Sequence, residues 1–499
     1  MTNYYLGVDI GTTAVKAVGF SAKGETLAKH SCSYTMYHPH PSWSEQKPTE
    51  ILHAVSESIN TILQALAPAT PILVSFSAAM HSILAVDKNG EPLTNCIVWA
   101  DNRAAAIAEN FALLDIGMNF YRATGVPVHA MSPFCKLLWF KENEPSVFQQ
   151  AYKFIGIKEY LFYKLFGQYV VDTSVASATG LLNIYSLQWD KTILDYLELP
   201  ESKLSAVVNV KEIFLYKSKG KAADFTLGNL PENTPFIIGS SDGALANLGT
   251  GVLNKNTLVA TIGTSAAARI TTREAGTDED MRTFCYHVKD DLYIRGGASN
   301  NGGIVFQWLK EKLLQTNESY QDLFKLAQEI APGSDDLLFL PYVLGERAPI
   351  WDSYARGVFF GLSINHSKAH LTRAVMEGVV YSLYGIGSVV MKENVLTDIH
   401  TTGVFTNNPL WLQILADMFN TPVKVSDAME SSALGAVLLG MEATGEECHF
   451  TRKVLSVYEP VTANHQVYIE RFEKFERLYE LLKHEFTKET ISVQQLFQS

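Results

Sequence analysis

VDIGTTAVKAV, residues 8–18, returns in altered form as ATIGTSAAARI, residues 260–270. Ile, Gly, Thr and Ala recur at matched places (Ile10 and Ile262, Gly11 and Gly263, Thr12 and Thr264, Ala14 and Ala266), while Asp9 of the first copy is Thr261 in the second. In each copy a β-prone apolar run breaks at a Gly-Thr turn and resumes, which is the grammar of a hairpin. The two glycines stand about half a chain length apart in 499 residues, as a duplicated domain would place them.

The surroundings of each copy agree. Around the first, runs over 4–9, 15–20 and 25–30 predict a β-meander. A helix follows, with Ile51, Leu52, Val55, Ile59, Ile62, Leu63 and Leu66 at helical spacing, and then a buried strand over 72–76. Around the second, strands are predicted over 257–262, 266–270, 284–288 and 292–295, a helix over 304–314 and a strand over 337–340. The class is α/β, with domains expected at 1–250 and 251–499 and an amphipathic helix over 468–488 near the end. Two similar domains face one another across a cleft, where small ligands usually sit.

Composition narrows the function. Hydrophobic content of 47% and charged content of 18% describe a globular chain. A net charge of −12 argues against nucleic acid and acidic membranes as partners, and requires any anionic ligand to be met by local cations or backbone N–H groups. Cys32, Cys96, Cys135, Cys285 and Cys448 are odd in number and widely spaced, with no CxxC pair, so free thiols in a reducing compartment are expected. No signal-peptide pattern opens the chain and the apolar run 379–391 is short for a bilayer span, which together predict a cytoplasmic protein. Monomer and homodimer both stay open.

A Gly-Thr-Thr turn exposes successive N–H groups and hydroxyls, so Gly11-Thr12-Thr13 and Gly263-Thr264-Ser265 read as two halves of a phosphate cradle, or else as two ordinary turns. Asp9 beside a phosphate requires a cation between them, and Mg²⁺ bridges carboxylate and phosphate in this way. Lys16 adds a positive charge or is simply solvated. Neither GxxxxGK[ST] nor a strand-linked GxGxxG occurs, which disfavours the P-loop and dinucleotide folds.

FIIGSSDGALANL, residues 236–248, runs from an apolar strand through Asp242 and Gly243 into a helix. Asp242 there suits the base of a phosphoryl transfer to a hydroxyl, or a plain N-cap. SAAMHS (77–82), WADNR (99–103) and GIKEY (156–160) sit at strand ends, where open α/β sheets place ligands. Met80, His81, Trp99, Asp101, Arg103, Lys158 and Gly243 are the candidate acceptor-binding residues.

With these motifs assembled, the chain resembles the FGGY carbohydrate kinases, a branch of the actin-like (ribonuclease H-like) ATPases, over nearly its whole length. MSPFCKLLWFKEN (131–143) is similar to the first family signature, with Lys136 and Trp139 in step. GVFFGLSINHSKAHLTRAVME (357–377) is similar to the second, with Gly361, Leu362, His370 and Glu377 in step. The resemblance implies two duplicated ATPase domains, ATP and Mg²⁺, Asp242 as catalytic base and Asp9 on the metal side. It also implies nucleotide contacts at Gly303, Gln307, Gly403 and Asn407. Thr402-Gly403 departs from the two glycines of many members. Within the family, SAAMHS, WADNR and GIKEY are most similar to the gluconate-phosphorylating branch, implying a sugar acid as acceptor, with Arg103 or Lys158 meeting its carboxylate. Rival expectations are a kinase of xylulose, ribulose or glycerol, and an actin-like ATP-driven binding protein.

Overall fold

The computed structural model describes residues 3–218, 227–426, 430–447, 450 and 453–486. Cys448 and the last residues of the expected terminal helix, 487–488, lie outside them. The duplication is visible in the pairing of strands. The first sheet has the order Ile213–Leu215, Pro235–Ser241, Pro71–Ala78, Tyr4–Ile10, Ala14–Phe20, Thr26–Ser33. Its meander is antiparallel, and Tyr4–Ile10, Pro71–Ala78 and Pro235–Ser241 run parallel.

The second sheet repeats this plan. Thr257–Ile262 is central, flanked by Ala266–Thr272 and Leu292–Ser299 on the antiparallel side and by Asp398–Thr402 and Val423–Ser426 on the parallel side. Phe284–Lys289 and Val454–Tyr458 close its two edges. Three details differ from expectation. The helix at Gly303–Trp308 gives way to a π-helical segment at Leu309–Leu313. Leu338–Leu340 pairs with Val358–Phe360 in a separate ribbon, outside the main sheet. The terminal helix is Thr462–Leu482, burying Tyr468, Phe472, Phe475 and Leu478.

Helix Pro48–Ala65 shows how the pattern becomes packing. Proline fits the first helical turn, where its missing N–H costs nothing, and Glu50 complements the N-terminal dipole. Ile51, Val55, Ile59 and Ile62 fall on one face and are buried against Val8, Val74 and Phe76 of the first sheet. Each such side chain contributes about 1.5–3 kcal/mol. The run 379–391 belongs to a longer helix, Lys368–Met391, which is long and apolar enough to cross a membrane by length and composition. In its most apolar window 83% of the residues are buried, and Val375, Val379, Leu383 and Ile386 pack in the core of the second half.

Residues of the second signature hold that core in place. Glu377 is buried and accepts from Gly333 N, Ser334 Oγ and Arg373 Nε. Gly361 has φ 89°, and a Cβ there would meet Asp336 O at 2.7 Å.

One element ties the halves together. Helix Ser431–Thr444 comes from the second half of the chain but packs Ala433, Leu434, Val437 and Met441 against Tyr5, Val18, Leu73 and Ile237 of the first sheet. It also crosses helix Asp242–Thr250 at backbone distance, since a Cβ on Gly435 would lie 2.0 Å from Leu245 O. Gly435→Ala must push the two helices apart, at an expected loss of roughly 1–3 kcal/mol. A lowered urea midpoint with unchanged m checks this, and an unchanged midpoint would contradict so close a crossing.

Candidate active site

Asp242 is aimed by a glycine bulge. Strand Pro235–Ser241 pairs with its parallel neighbour at Phe236↔Val74 and Ile237↔Ser75, slips, and resumes at Ser240↔Ser77. Gly239 sits in the slip with φ 72°, and a Cβ there would lie 1.7 Å from Phe76 O, so no other residue fits. The strand then passes directly into helix Asp242–Thr250. Ser241 occupies the N-cap, and Asp242 is the first helical residue, its Oδ1 accepting from Gly243 N at 2.7 Å. The plain N-cap alternative is therefore not the role the structure gives it.

Asp9 reaches the same place from another strand of the same sheet. It is level with Ser77 in the parallel ladder, and Ser77 Oγ donates to Asp9 Oδ1 at 2.7 Å. Both carboxylates thus stand at carboxyl ends of parallel strands, where this sheet class opens its crevice. Burial and the charge of Asp242 push Asp9 up to about 6, against the Ser77 hydrogen bond and Lys16; Glu430 adds to the rise. Burial also raises Asp242, opposed by Arg269, the Gly243 N–H, Arg347 and Lys158.

Two cavities meet here. One of about 480 Å³ gathers Asp9, Lys16, Asp242, Gly243, Gly403 and Asn407, with Thr261 and Arg269 in its wall. The other, about 370 Å³, is lined by Gly263, Thr264, Gly303, Gln307 and Asn407, with Ile262, Phe306, Phe324 and Trp411 as apolar walls. Asn407 belongs to both. The first is carboxylate-rich and suits a charged group neutralised by cations, and the second has flat apolar walls with amides at the edge, which suits a heterocyclic base.

Asp9 and Thr261, two positions before the glycine of each turn, therefore face one cavity. In the turns themselves, Gly11 N and Gly263 N bond within the turn, to Ala14 O and Ser265 O. Among the described residues no acceptor is found for the N–H groups of Thr12, Thr13, Thr264 or Ser265. Gly403 has φ 102°, and a Cβ there would lie 2.6 Å from Ile262 O, so the turn after Asp398–Thr402 requires glycine. Lys16 pairs with Glu430 at 3.2 Å, and Gln307 Nε2 donates to Glu311.

Of the acceptor candidates Gly243 lines this cavity, and Met80, His81, Trp99, Asp101, Arg103 and Lys158 lie outside its lining. Met80 abuts Gly243: its Cε would be 3.2 Å from a Cβ there. His81 is buried with φ 68°, and its Nδ1 donates to Ala178 O at 2.8 Å. Burial, Lys136 and Arg347 pull its pKa down to about 3, so the ring is neutral and Nε2 is an acceptor. Trp99 Nε1 donates to Thr12 Oγ1 at 2.8 Å, tying the acceptor loop to the first turn.

Arg103 and Lys158 are already committed. Arg103 bonds Asp101 at 2.8 Å and Glu45 at 2.5 Å, and its guanidinium lies over the ring of Trp43 at 3.9 Å and that of Trp139 at 5.0 Å. Asp101 also accepts from Ser44 N. Lys158 pairs with Asp172 at 2.6 Å and donates to Ser240 O, bracing the strand end next to Asp242. The sequence expectation that one of them is the free cation for a carboxylate does not match this wiring.

Sequence reasoning missed four contributors. Lys136 is buried and donates to the carbonyls of His81, Val98 and Met131 at 2.8, 2.9 and 2.8 Å, fastening three loop ends with one ammonium. The others are Arg269, Arg347 and Tyr286. The signal for Arg269 was in plain view, an arginine inside the otherwise apolar strand ATIGTSAAARI.

A cleft between two duplicated sheets, with paired carboxylates at strand ends and a second pocket beside them, defines an actin-like phosphotransfer fold. Residues 4–249 match the N-terminal domain, and residues 258–444 the C-terminal domain, of the FGGY family of carbohydrate kinases. The chain belongs to that family. It is 42% identical over 457 residues to a gluconokinase of Bacillus licheniformis, covering 89% of this chain and 88% of that one. A gluconate kinase structure from Lactobacillus acidophilus superposes with a TM-score of 0.91 at 34% identity, covering 97% of this chain and 99% of that one. A ligand-bound xylulose kinase structure from the same organism gives the same figures.

The residues present fit a divalent cation. Asp9 accepts a hydrogen bond from Ser77 and is pushed toward protonation by burial first and then by the charge of Asp242, a repulsion that a cation would relieve. Among the described residues no cluster of three or more His, Cys, Asp or Glu could hold a metal alone. A cation here would need phosphate oxygens and waters as further ligands, as Mg²⁺ usually does. The raised pKa has a consequence for stability. Between about pH 4 and 6 the folded protein holds a proton the unfolded chain has lost, so the Asp9 contribution falls as pH rises and stays low above 6. Asp9→Asn, which keeps the Ser77 bond, is expected to stabilise the ligand-free protein by about 2–3 kcal/mol at pH 8 and by little at pH 4. Thermal melts at the two pH values check it; equal effects at both would refute the raised pKa.

Proposed function

We propose that this carbohydrate kinase transfers the γ-phosphoryl group of ATP to the terminal hydroxyl of D-gluconate, giving 6-phospho-D-gluconate. The observation that carries the chemistry is Asp242, fixed by the Gly239 bulge at the mouth of a cavity that continues into an apolar pocket. The gluconokinase at 42% identity supports the acceptor.

Asp242 accepts the proton as the hydroxyl oxygen forms its bond to the γ-phosphorus and the bond to the β-phosphate oxygen breaks. Burial raises its pKa, which makes it a stronger base than an exposed aspartate. Mg²⁺, when bound near Asp9, neutralises phosphate charge. The N–H groups of Thr12, Thr13, Thr264 and Ser265 face charge on the phosphates without reorganising, which is where phosphoryl transfer gains most. Gly403 and Asn407 pass the nucleotide from one cavity to the other, with Gly303 and Gln307 at the base. Neutral His81 accepts from a polyol hydroxyl. The lobes, 1–250 and 251–499 bridged by helix Ser431–Thr444, close to exclude water from the cytoplasm and limit hydrolysis of ATP.

A panel of D-gluconate, D-xylulose, D-ribulose and glycerol at equal concentration, with ADP release measured, is expected to show the highest kcat/KM for gluconate. Faster turnover of a ketose would replace the acceptor and leave the kinase standing. Asp242→Asn is expected to lower kcat roughly 10²–10⁴-fold while ATP still binds. Near-normal turnover would remove Asp242 as the base.

A further inference from the structure

Three buried donors next to Asp242 have nothing to donate to. The Nε–H of Arg269, the Nε–H of Arg347 and the hydroxyl of Tyr286 are buried without a hydrogen-bond partner among the described residues. Tyr286 is fully buried and Arg347 is 7% exposed. Orphaned donors of this kind are rare; Asp242 lends both arginines an opposite charge and Arg347 Nη2 donates to Ser299 O, yet the two Nε–H groups stay unpaired. Other cations nearby are satisfied: Arg103 by Asp101 and Glu45, Lys158 by Asp172, Lys136 by three carbonyls.

The three converge on the acceptor loops. Arg269 lies against Gly243, with Nη2 3.5 Å from where a Cβ would be, on the same glycine that Met80 touches. The Tyr286 ring is 5.8 Å from that of His81, and the Arg347 guanidinium is 4.5 Å from the ring centre of Trp99. The charges of Arg347 and Arg269 are both felt by the Tyr286 hydroxyl, and that of Arg269 by Arg347. Gly303 and Gln307, at the other pocket, are not part of this group.

We propose that Arg269 and Arg347, together with the Tyr286 hydroxyl, receive the carboxylate of the sugar acid and so set the preference of this kinase for an acid over a neutral polyol or ketose. A carboxylate has two oxygens and acceptor capacity for both guanidinium forks and a hydroxyl. Its binding would pair all three orphaned donors at once. The inference rests on the gluconate reading above and names the residues responsible for it.

The test compares D-gluconate with D-gluconamide, a neutral analogue with the same hydroxyl chain, by the ratio of their kcat/KM values. In wild type the ratio is expected to favour gluconate by about 30- to 100-fold, the scale of a charge-assisted bidentate contact. Arg269→Gln is expected to collapse that ratio toward one through KM for gluconate, Arg269→Lys to fall between, and Tyr286→Phe to lower it several-fold. If Arg269→Gln does not fold, Arg269→Lys and Tyr286→Phe decide. Equal losses on both acceptors, or a loss in kcat alone, would overturn the inference and assign Arg269 to the phosphoryl group or to the scaffold. Gluconate untouched by the wild-type enzyme would bring down the acceptor reading first; gluconate turnover with an unaltered ratio in the variants would bring down this inference alone.

Discussion

Two carboxylates in one cavity, one on a strand of the first sheet and one on the helix that follows another strand of it, is the constraint on which the rest depends. Asp9 and Asp242 repel, and burial removes the water that would screen them. The parallel ladder fixes both strand ends by backbone hydrogen bonds, so the two carboxylates are held in place despite their repulsion. What the fold gives up in stability there is what makes the cavity receptive to a cation carrying phosphate. The local crowding at Gly239 has the same logic, since the bulge interrupts a ladder in order to turn Asp242 outward.

The periphery of the site is built to be rigid by commitment. Lys136, Arg103 and Lys158 each take two or more partners, carbonyls for Lys136 and carboxylates for Arg103, with one of each for Lys158. Their work is to hold His81, Asp101 and Ser240 where the acceptor would meet them. Lys136 and Trp139 thus serve the site from a stretch that itself lines neither cavity. Arg269 and Arg347, whose buried Nε–H groups have no acceptor among the described residues, are of the opposite kind, and the contrast between paired and unpaired donors separates scaffold from ligand site more sharply than proximity to Asp242 does.

Much of this was legible in the sequence. The duplicated hairpin was readable because Ile10-Gly11-Thr12 and Ile262-Gly263-Thr264 carry both the turn and the strand pattern locally. Asp242 was readable because a strand-to-helix junction is also local. The acceptor cations were not. Arg103 and Lys158 were flagged by position at strand ends, but whether a cation is free depends on Glu45, Asp101 and Asp172, which arrive from elsewhere in the chain. Tyr286 and Arg347 escaped for the same reason: their significance lies in what they fail to touch, and an absent partner leaves no trace in a periodicity or a spacing. The apolar run 379–391 is only part of its helix because Arg373 and Glu377, charged in sequence, are buried as a pair in the turns before it.

The helix Ser431–Thr444 adds a mechanical argument. It sits on the first sheet, yet Ser431 and Ser432 at its start line the cavity beside Asp242, and Ser432 Oγ donates to Asp242 O at 3.3 Å. Glu430, immediately before it, holds Lys16. Strand Val423–Ser426, just upstream, belongs to the second sheet. The helix on the first sheet therefore begins with groups that touch both Asp242 and Lys16. Because Gly435 and Leu245 meet backbone to backbone, the helix cannot slide freely along its partner. Asp242 and Lys16 are thus held by one element whose position is set by close backbone packing.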